Sequence, residues 1–241
     1  MAEYFVQDIT VADRDVQQDG TLKLSRLLFW VQEISGQHAE KLGYSWESLG
    51  NMGVFWAVLR HNVEISRLPR SGETVRLETW PMPTTRTAYP RAVRALDSSG
   101  QVLFSALTLW VLMDRQQRTM VLPGKSNVTV PGLIRGCEIA TPGSLPPVKA
   151  TETALWSVDQ QDLDLNGHVN NTVYIDRVLE RFPLSYSPKS MKICYLSEVN
   201  AGQEILLQAD SNPGVFAADG SRRKTNVSEN TERVFGLRFE W

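Results

Sequence analysis

The order of predicted secondary-structure elements repeats once along this chain of 241 residues. In the first half, apolar residues at helical spacing precede strand-like segments; the helix face is Leu24, Leu27, Leu28, Val31, Ile34 and His38, and the segments are 55–65, 74–80, 88–96 and 102–113. The second half has a helix face of Val173, Tyr174, Val178 and Phe182, followed by segments 192–196, 204–209 and 234–241. Each half therefore predicts one long helix buried against the apolar face of an antiparallel sheet.

Two local similarities support a duplication of this plan. Asp19 and Phe29 match Asp164 and Tyr174 at one constant offset, and segment 69–77 resembles segment 199–207. The predicted fold class is α+β, with two tandem hotdog domains, each an antiparallel sheet wrapped around a long central helix.

Proline and glycine punctuate the stretch between the two halves, at Pro131, Gly132, Gly136, Pro142, Gly143, Pro146 and Pro147. Because this stretch lacks clear periodicity, it predicts a linker rather than a helix or strand. The expected organisation is an N-terminal hotdog domain over 1–130, a linker over 131–150 and a C-terminal hotdog domain over 151–241.

Charge, hydropathy and cysteine usage exclude several classes of protein. The 25 Lys+Arg residues nearly balance the 27 Asp+Glu residues, so nothing global favours nucleic-acid binding. The longest apolar-leaning run, 102–113, is shorter than the roughly 18 residues of a membrane helix, so no membrane insertion is expected. Two cysteines without disulfide or metal-ligand patterns favour reduced thiols in the cytoplasm. The first residues lack a signal-peptide pattern.

One short segment carries the candidate chemistry. Asp164, Asn166 and His168 alternate with less polar residues, and alternate side chains of an extended segment point to one side. A carboxylate, an amide and an imidazole that face one space suit attack on a carbonyl group. The aligned positions of the first half, which offer neither imidazole nor amide, carry Asp19, Thr21 and Lys23. Only the second half is therefore expected to carry the chemistry.

The run 162–175 resembles the signature of the acyl-acyl carrier protein (acyl-ACP) thioesterases. The pattern Asp-x-Asn-x-His-Val-Asn-Asn followed by Tyr is matched by Asp164, Asn166, His168, Val169, Asn170, Asn171 and Tyr174. Members of this family also place a glutamate shortly after a tyrosine on the following strand, and Glu198 after Tyr195 fits that pattern. Val199 stands where many relatives carry cysteine, which excludes a thiolate mechanism at that position.

The resemblance implies hydrolysis of fatty acyl-ACP thioesters, with release of the free fatty acid and termination of chain elongation. The implied partner is acyl carrier protein bearing the chain on phosphopantetheine, and no metal or other cofactor is implied. The implied catalytic residues are Asp164, Asn166, His168 and Glu198. The residues expected to contact the substrate are Val169, Asn170, Asn171 and Tyr174, with Met52, Val54 and Trp56 along the acyl chain.

Two routes of attack are compatible with these residues. Asp164 can attack the thioester directly and form a mixed anhydride, or Glu198 and His168 can deprotonate a water molecule. In either route, Asn166 and the backbone N–H groups near residues 169–171 are expected to stabilise the oxyanion.

Rival interpretations also fit the sequence. A hotdog thioesterase acting on acyl-coenzyme A is the nearest enzymatic rival, and Val199 keeps open an inactive module that binds acyl chains or the carrier. Open sheet edges can pair between chains, so a homodimer is compatible with the fold. Several polar residues have simpler structural interpretations: caps for Asn170 and Asn171, core histidines for His38 and His61, a turn for Asp162 and a solvated hairpin tip for 222–224.

Overall fold

The computed structural model describes residues 4–133, 139–164, 166–223 and 231–241. The chain divides into two compact units, Met1–Pro142 and Gly143–Trp241. The division falls inside the stretch 131–150, and the predicted domain bounds themselves stay a prediction.

The first unit is an antiparallel sheet covered by a helix. Its strands are β1 (Phe5–Thr10), β2 (Val54–Ile65), β3 (Thr74–Pro81), β4 (Tyr89–Leu96), β5 (Val102–Asp114) and β6 (Met120–Val121). They lie in the order β1-β3-β4-β5-β2, and β6 pairs with β5. Helix α1 (Leu24–Lys41) contacts β1, β3 and β4, and a short helix α2 (Trp46–Asn51) precedes β2. The predicted helix face of α1 is buried throughout.

The described residues of the second unit form a five-stranded antiparallel sheet and a shorter helix. Its strands are β7 (Glu152–Ser157), β8 (Ser190–Tyr195), β9 (Glu204–Asn212), β10 (Val215–Arg223) and β11 (Thr231–Glu240), in the order β8-β11-β10-β9-β7. Helix α3 (Val173–Arg181) packs Tyr174 against Tyr195 and Phe235.

The two helices differ in length, contrary to the expectation of one long helix in each half. Helix α1 has 18 residues, whereas α3 has 9. Pro183 explains the early end of α3, because a residue that precedes proline disfavours the helical conformation. Phe182 indeed has φ −132° and ψ 74° at the C-terminal cap of this helix.

The segments that lead into α1 and α3 share one hydrogen-bond pattern. Gln17 N–H donates to Thr21 O and Lys23 N–H to Asp15 O, just as Asp164 N–H donates to His168 O and Asn170 N–H to Asp162 O. The bridges Val16–Leu22 and Leu163–Val169 are equivalent in the same way. The first-unit counterparts of Asp164, Asn166 and His168 are therefore Gln17, Asp19 and Thr21. The alignment that put Asp19, Thr21 and Lys23 at these positions is wrong by two residues, and an amide, Gln17, stands where the second unit has Asp164.

The described part of the stretch 131–150 is irregular and mostly exposed, but several of its residues contact the unit to which they belong. Ile139 is buried in a cluster with Trp80, Ala92 and Leu107. In the second unit, Val148 N–H donates to Asp219 Oδ2, and Arg233 donates to Leu145 O. These contacts hold the stretch in place, so it is not a freely flexible connection. Cys137 lies outside the described residues.

A buried acid, Asp162, ties the second unit together. Its carboxylate accepts hydrogen bonds from Trp156 Nε1 at 3.0 Å and from Arg177 Nη2 at 2.5 Å, and Asp162 is 1% exposed. The interpretation of Asp162 as a turn residue is therefore incomplete, because the turn also places a buried charge opposite Arg177.

No described helix has the length and apolar character needed to cross a lipid bilayer. Within the described ranges, no group of three or more His, Cys, Asp and Glu side chains is arranged to hold a metal ion.

Candidate active site

The segment that carries Asp164 and His168 is a tight turn. Asp164 N–H donates to His168 O at 2.8 Å, and Gly167 N–H donates to Asp164 O at 3.0 Å. Gly167 has φ +79°, a left-handed conformation that glycine adopts without strain. Asp and Gly at the first and fourth positions are typical of such turns. The expectation of an extended segment with alternating side chains is wrong, because these local hydrogen bonds close the chain on itself.

The turn brings Asp164 and Asn166 together. Asp164 Oδ1 accepts from the backbone N–H of Asn166 at 2.8 Å and of His168 at 3.4 Å. Asp164 Oδ2 accepts from the Asn166 side-chain amide at 3.3 Å. Short polar side chains commonly stabilise turns through bonds of this kind. The carboxylate thus holds the shape of the loop from which His168 projects.

His168 meets Glu198, which is distant in sequence. His168 Nε2 lies 3.3 Å from Glu198 Oε2, and the side chains are 24% and 44% exposed. Val169 N–H donates to Val199 O at 2.8 Å and so joins the two loops beside this pair. An imidazole and a carboxylate in contact, both open to solvent, can exchange protons with a bound substrate.

Arg222 holds the Glu198 loop, a role that the sequence analysis missed. Arg222 Nη1 donates to Glu198 O at 2.5 Å, and Nη2 donates to Ser197 Oγ at 2.8 Å. The same guanidinium pairs with Glu232 at 3.0 Å. Arg222 belongs to β10 and is partly buried, so its interpretation as part of a solvated hairpin tip is wrong. Lys224 lies outside the described residues.

The charged groups of the site affect the pKa of the buried Tyr174. Burial raises the pKa of its hydroxyl above the usual value, and the charges of Glu198 and Asp164 raise it further, while Arg222 opposes them. Tyr174 is 3% exposed and packs edge-on against Trp156. The structure places Tyr174 in the core beneath the acidic groups.

Most backbone N–H groups ahead of α3 already have acceptors. Val169 N–H bonds to Val199 O, and Asn170 N–H bonds to Asp162 O at 2.9 Å. Asn170 Oδ1 accepts from Thr172, and Asn171 O accepts from the Tyr195 hydroxyl. The expectation of open N–H groups at Val169 and Asn170 is therefore wrong, because α3 begins only at Val173 and the preceding turn uses these donors internally.

Cys194 lies on strand β8, whereas Glu198 lies beyond the end of this strand. Strand β8 ends at Tyr195, so Glu198 lies in the loop beyond it. The buried Cys194 thiol bonds to Gly143 O at 3.4 Å.

The structure places the predicted acyl-chain residues Met52, Val54 and Trp56 in different surroundings. Trp56 lines a pocket of the first unit that encloses about 420 Å³ of empty space, counted out to its open mouth. Val54 is buried in the neighbouring cluster with Trp56, whereas Met52 is 47% exposed and does not line the pocket. The sequence analysis missed the other wall residues, among them Tyr44, Tyr89, Arg91 and Trp110.

His38 and His61 are buried and hydrogen-bonded, as expected for core histidines. Burial lowers the pKa of His61 to about 3, and its Nδ1 lies 2.8 Å from Thr108 Oγ1. Burial, assisted by the charges of Arg91 and Lys41, lowers the pKa of His38 to about 4. Both imidazoles are therefore neutral at neutral pH.

Comparison with known proteins gives a consistent picture for both units. Residues 3–122 match the family model of the acyl-ACP thioesterase N-terminal domain, and residues 146–234 match that of the acyl-ACP thioesterase C-terminal domain. A chloroplastic palmitoyl-acyl carrier protein thioesterase of Gossypium hirsutum is 25% identical over 228 residues, which cover 85% of this chain and 54% of the relative. The chloroplastic oleoyl-acyl carrier protein thioesterase 1 of Arabidopsis thaliana is 25% identical over 199 residues, or 74% of this chain and 55% of the relative. The chain thus spans about half the length of the curated relatives it matches.

Solved structures share the fold over nearly the whole chain. An acyl-ACP thioesterase from Bacteroides thetaiotaomicron has a TM-score of 0.86 at 21% identity and covers 98% of this chain and 97% of its own. The 12:0-ACP thioesterase of Umbellularia californica has a TM-score of 0.80 at 22% identity, covering 99% and 96%.

Proposed function

This chain belongs to the acyl-ACP thioesterase family, and from that premise we propose that it hydrolyses fatty acyl thioesters of acyl carrier protein and releases the free fatty acid. The observation that carries the proposal is the contact between His168 Nε2 and Glu198 Oε2 at 3.3 Å. Asp164 and Asn166 support it, because they form the turn that presents the imidazole.

The proposed fold is a pair of tandem hotdog domains over 1–130 and 151–241, joined by 131–150. Each unit has an antiparallel sheet with a helix packed on it. The shared hydrogen-bond pattern ahead of α1 and α3 supports a common ancestry of the two units.

In the proposed mechanism, water is the nucleophile. With a proton on Nε2, the His168 imidazole donates to Glu198 and leaves Nδ1 as the base. Nδ1 takes a proton from water as the water oxygen bonds to the thioester carbonyl carbon, and the carbonyl oxygen becomes an oxyanion. The C–S bond then breaks, and the imidazolium returns its proton to the departing thiolate. Glu198 orients the imidazole and stabilises its charged form.

Asp164 is proposed to position the loop rather than to attack the substrate. Its two oxygens already accept hydrogen bonds from Asn166 and His168, which stabilise the carboxylate and weaken it as a nucleophile. The Asn166 amide is the proposed oxyanion donor. Val169, Asn170, Asn171 and Tyr174 are proposed to form the floor and wall of the thioester site, and Trp56 to contact an aliphatic chain.

A single turnover in ¹⁸O-labelled water tests the choice of nucleophile. The general-base route is expected to leave the protein unlabelled and to place the label in the fatty acid alone. Mass spectrometry of the peptide that contains Asp164 measures the difference. Label in the Asp164 carboxylate would instead establish the anhydride route.

The carrier preference tests the proposed function against its rivals. We expect kcat/KM for dodecanoyl-ACP to exceed that for dodecanoyl-coenzyme A by about tenfold or more, equivalent to about 1.4 kcal/mol of transition-state binding. Steady-state assays at equal acyl length measure it. Equal or better turnover of the coenzyme A thioester would favour the acyl-coenzyme A rival. No turnover of either would favour an inactive binding module.

A reducing, cytoplasmic location is part of the proposal and is supported by the two cysteines of the sequence, which lack a disulfide pattern. Homodimer formation stays a prediction.

A further inference from the structure

The pocket of the first unit contains a buried positive charge. Arg91, on β4, lines this pocket and is 7% exposed. Its Nη1 donates to His38 Nδ1 at 2.9 Å and to Thr79 Oγ1 at 3.4 Å. Both acceptors are uncharged, since burial keeps the pKa of His38 near 4.

Among the described residues, no carboxylate lies within ion-pair distance of Arg91, unlike the partly buried Arg94 and Arg233. Arg94 pairs with Glu78 at 2.6 Å, and Arg233 pairs with Asp219 at 2.5 Å. The Nε and Nη2 groups of Arg91 donate to no described residue. Burial lowers the pKa of Arg91 only to about 10, so the guanidinium stays charged at neutral pH. A buried charge is unfavourable unless it is paired.

The remaining walls of the pocket are mostly apolar. Trp56 and Tyr89 meet edge-on with ring centroids 4.9 Å apart, and Trp110 lies beside them on β5. On α1, Gly36 lines the same space, and a Cβ at this position would meet no atom within 4 Å. The pocket thus combines aromatic walls with a cationic group that has two unused donor groups.

We propose that this pocket binds an aliphatic carboxylate, with the carboxylate paired to Arg91 and the hydrocarbon chain against the aromatic walls. A guanidinium fork matches a carboxylate in geometry and charge. The chain would cover the apolar surface of Trp56, Tyr89 and Trp110. The site goes beyond the proposed hydrolysis, because it requires only binding.

Calorimetric titration of the full chain with dodecanoate tests the site. Wild-type protein is expected to bind dodecanoate and to bind methyl dodecanoate, which has the same chain without the charge, much more weakly. Arg91→Met, which keeps the side-chain length, is expected to weaken dodecanoate binding by about 10- to 100-fold and to leave the ester unaffected. Equal binding of acid and ester by the wild type would overturn the proposal.

Two further variants keep the test independent of folding defects. Arg76→Met removes an exposed positive charge from β3 of the same unit and is expected to leave dodecanoate affinity unchanged. Gly36→Leu places a side chain in the pocket from a helical position and is expected to abolish binding of acid and ester alike. If Arg91→Met fails to fold, two other measurements test the site. They are dodecanoate binding by Gly36→Leu, and the affinities of the wild type for dodecanoate and for methyl dodecanoate. Unchanged affinity in folded Arg91→Met or Gly36→Leu contradicts the proposal.

The proposed source of the carboxylate is a free fatty acid. Dodecanoate is then expected to inhibit hydrolysis of dodecanoyl-ACP, and Arg91→Met is expected to relieve the inhibition. Full inhibition of folded Arg91→Met would contradict the proposal. Binding of dodecanoate without any hydrolysis would retain this site and reject the proposed function.

Discussion

Replacing His168 with alanine is expected to lower kcat for acyl-ACP hydrolysis by about 10²–10⁴-fold, the usual contribution of a general base. His168 is the only histidine in the described part of the second unit, and its Nε2 lies 3.3 Å from Glu198 Oε2. Its loss therefore removes the imidazole that accepts the proton from water. Single-turnover kinetics at saturating enzyme measure the chemical step. Circular dichroism checks that the fold survives, since His168 is partly exposed.

Matched variants separate chemistry from loop structure. Thr21 occupies the position equivalent to His168 in the first unit, so Thr21→Ala alters a similar turn without removing an imidazole. We expect it to retain wild-type activity. The kcat of Glu198→Gln is expected to lie between those of His168→Ala and Thr21→Ala, because an amide can still orient the imidazole but cannot stabilise its positive charge. Wild-type kcat in His168→Ala would reject the His168–Glu198 mechanism.

Replacing Asp162 with alanine is expected to lower the free energy of unfolding by about 3–5 kcal/mol, as for other buried ion pairs that lose one partner. The substitution leaves the Arg177 guanidinium and the Trp156 indole N–H without the acceptor that Asp162 supplies. Denaturant unfolding followed by circular dichroism measures the loss.

Glu180→Ala provides the control for Asp162, because Glu180 pairs with the same arginine at 2.8 Å but is 44% exposed. An exposed pair of this kind contributes only about 0–1 kcal/mol. If the free energy of unfolding falls by a similarly small amount in Asp162→Ala and Glu180→Ala, the buried Asp162–Arg177 pair has no special structural role.

The strands with strong hydropathy patterns were predictable from the sequence. Segment 55–65 became β2, and 102–113 became β5, each within one residue at either end. Their runs of apolar and β-branched residues are typical of strands whose faces are largely buried. Helix α1 was equally clear, because its apolar face repeats at helical spacing over about four turns.

Four of the described strands had no such pattern and were missed, namely β1, β6, β7 and β10. Strand β10 carries the charged residues Asp219 and Arg222, which interrupt its apolar pattern. Both are accommodated because partners from other segments neutralise them: Arg233 for Asp219, and Glu232 for Arg222. A prediction made along the chain does not include such partners.

The sequence by itself determined the parts of the site that are local. The turn at Asp164 and Gly167 is closed by hydrogen bonds between residues at most four apart, so residue type and spacing suffice to specify it. Only the tertiary structure decided that His168 meets Glu198, that Arg222 supports the Glu198 loop and that Arg91 is buried with no carboxylate from the described ranges beside it. These pairings join residues far apart in the chain. Their geometry depends on how strands and helices pack, which no local pattern of residues encodes.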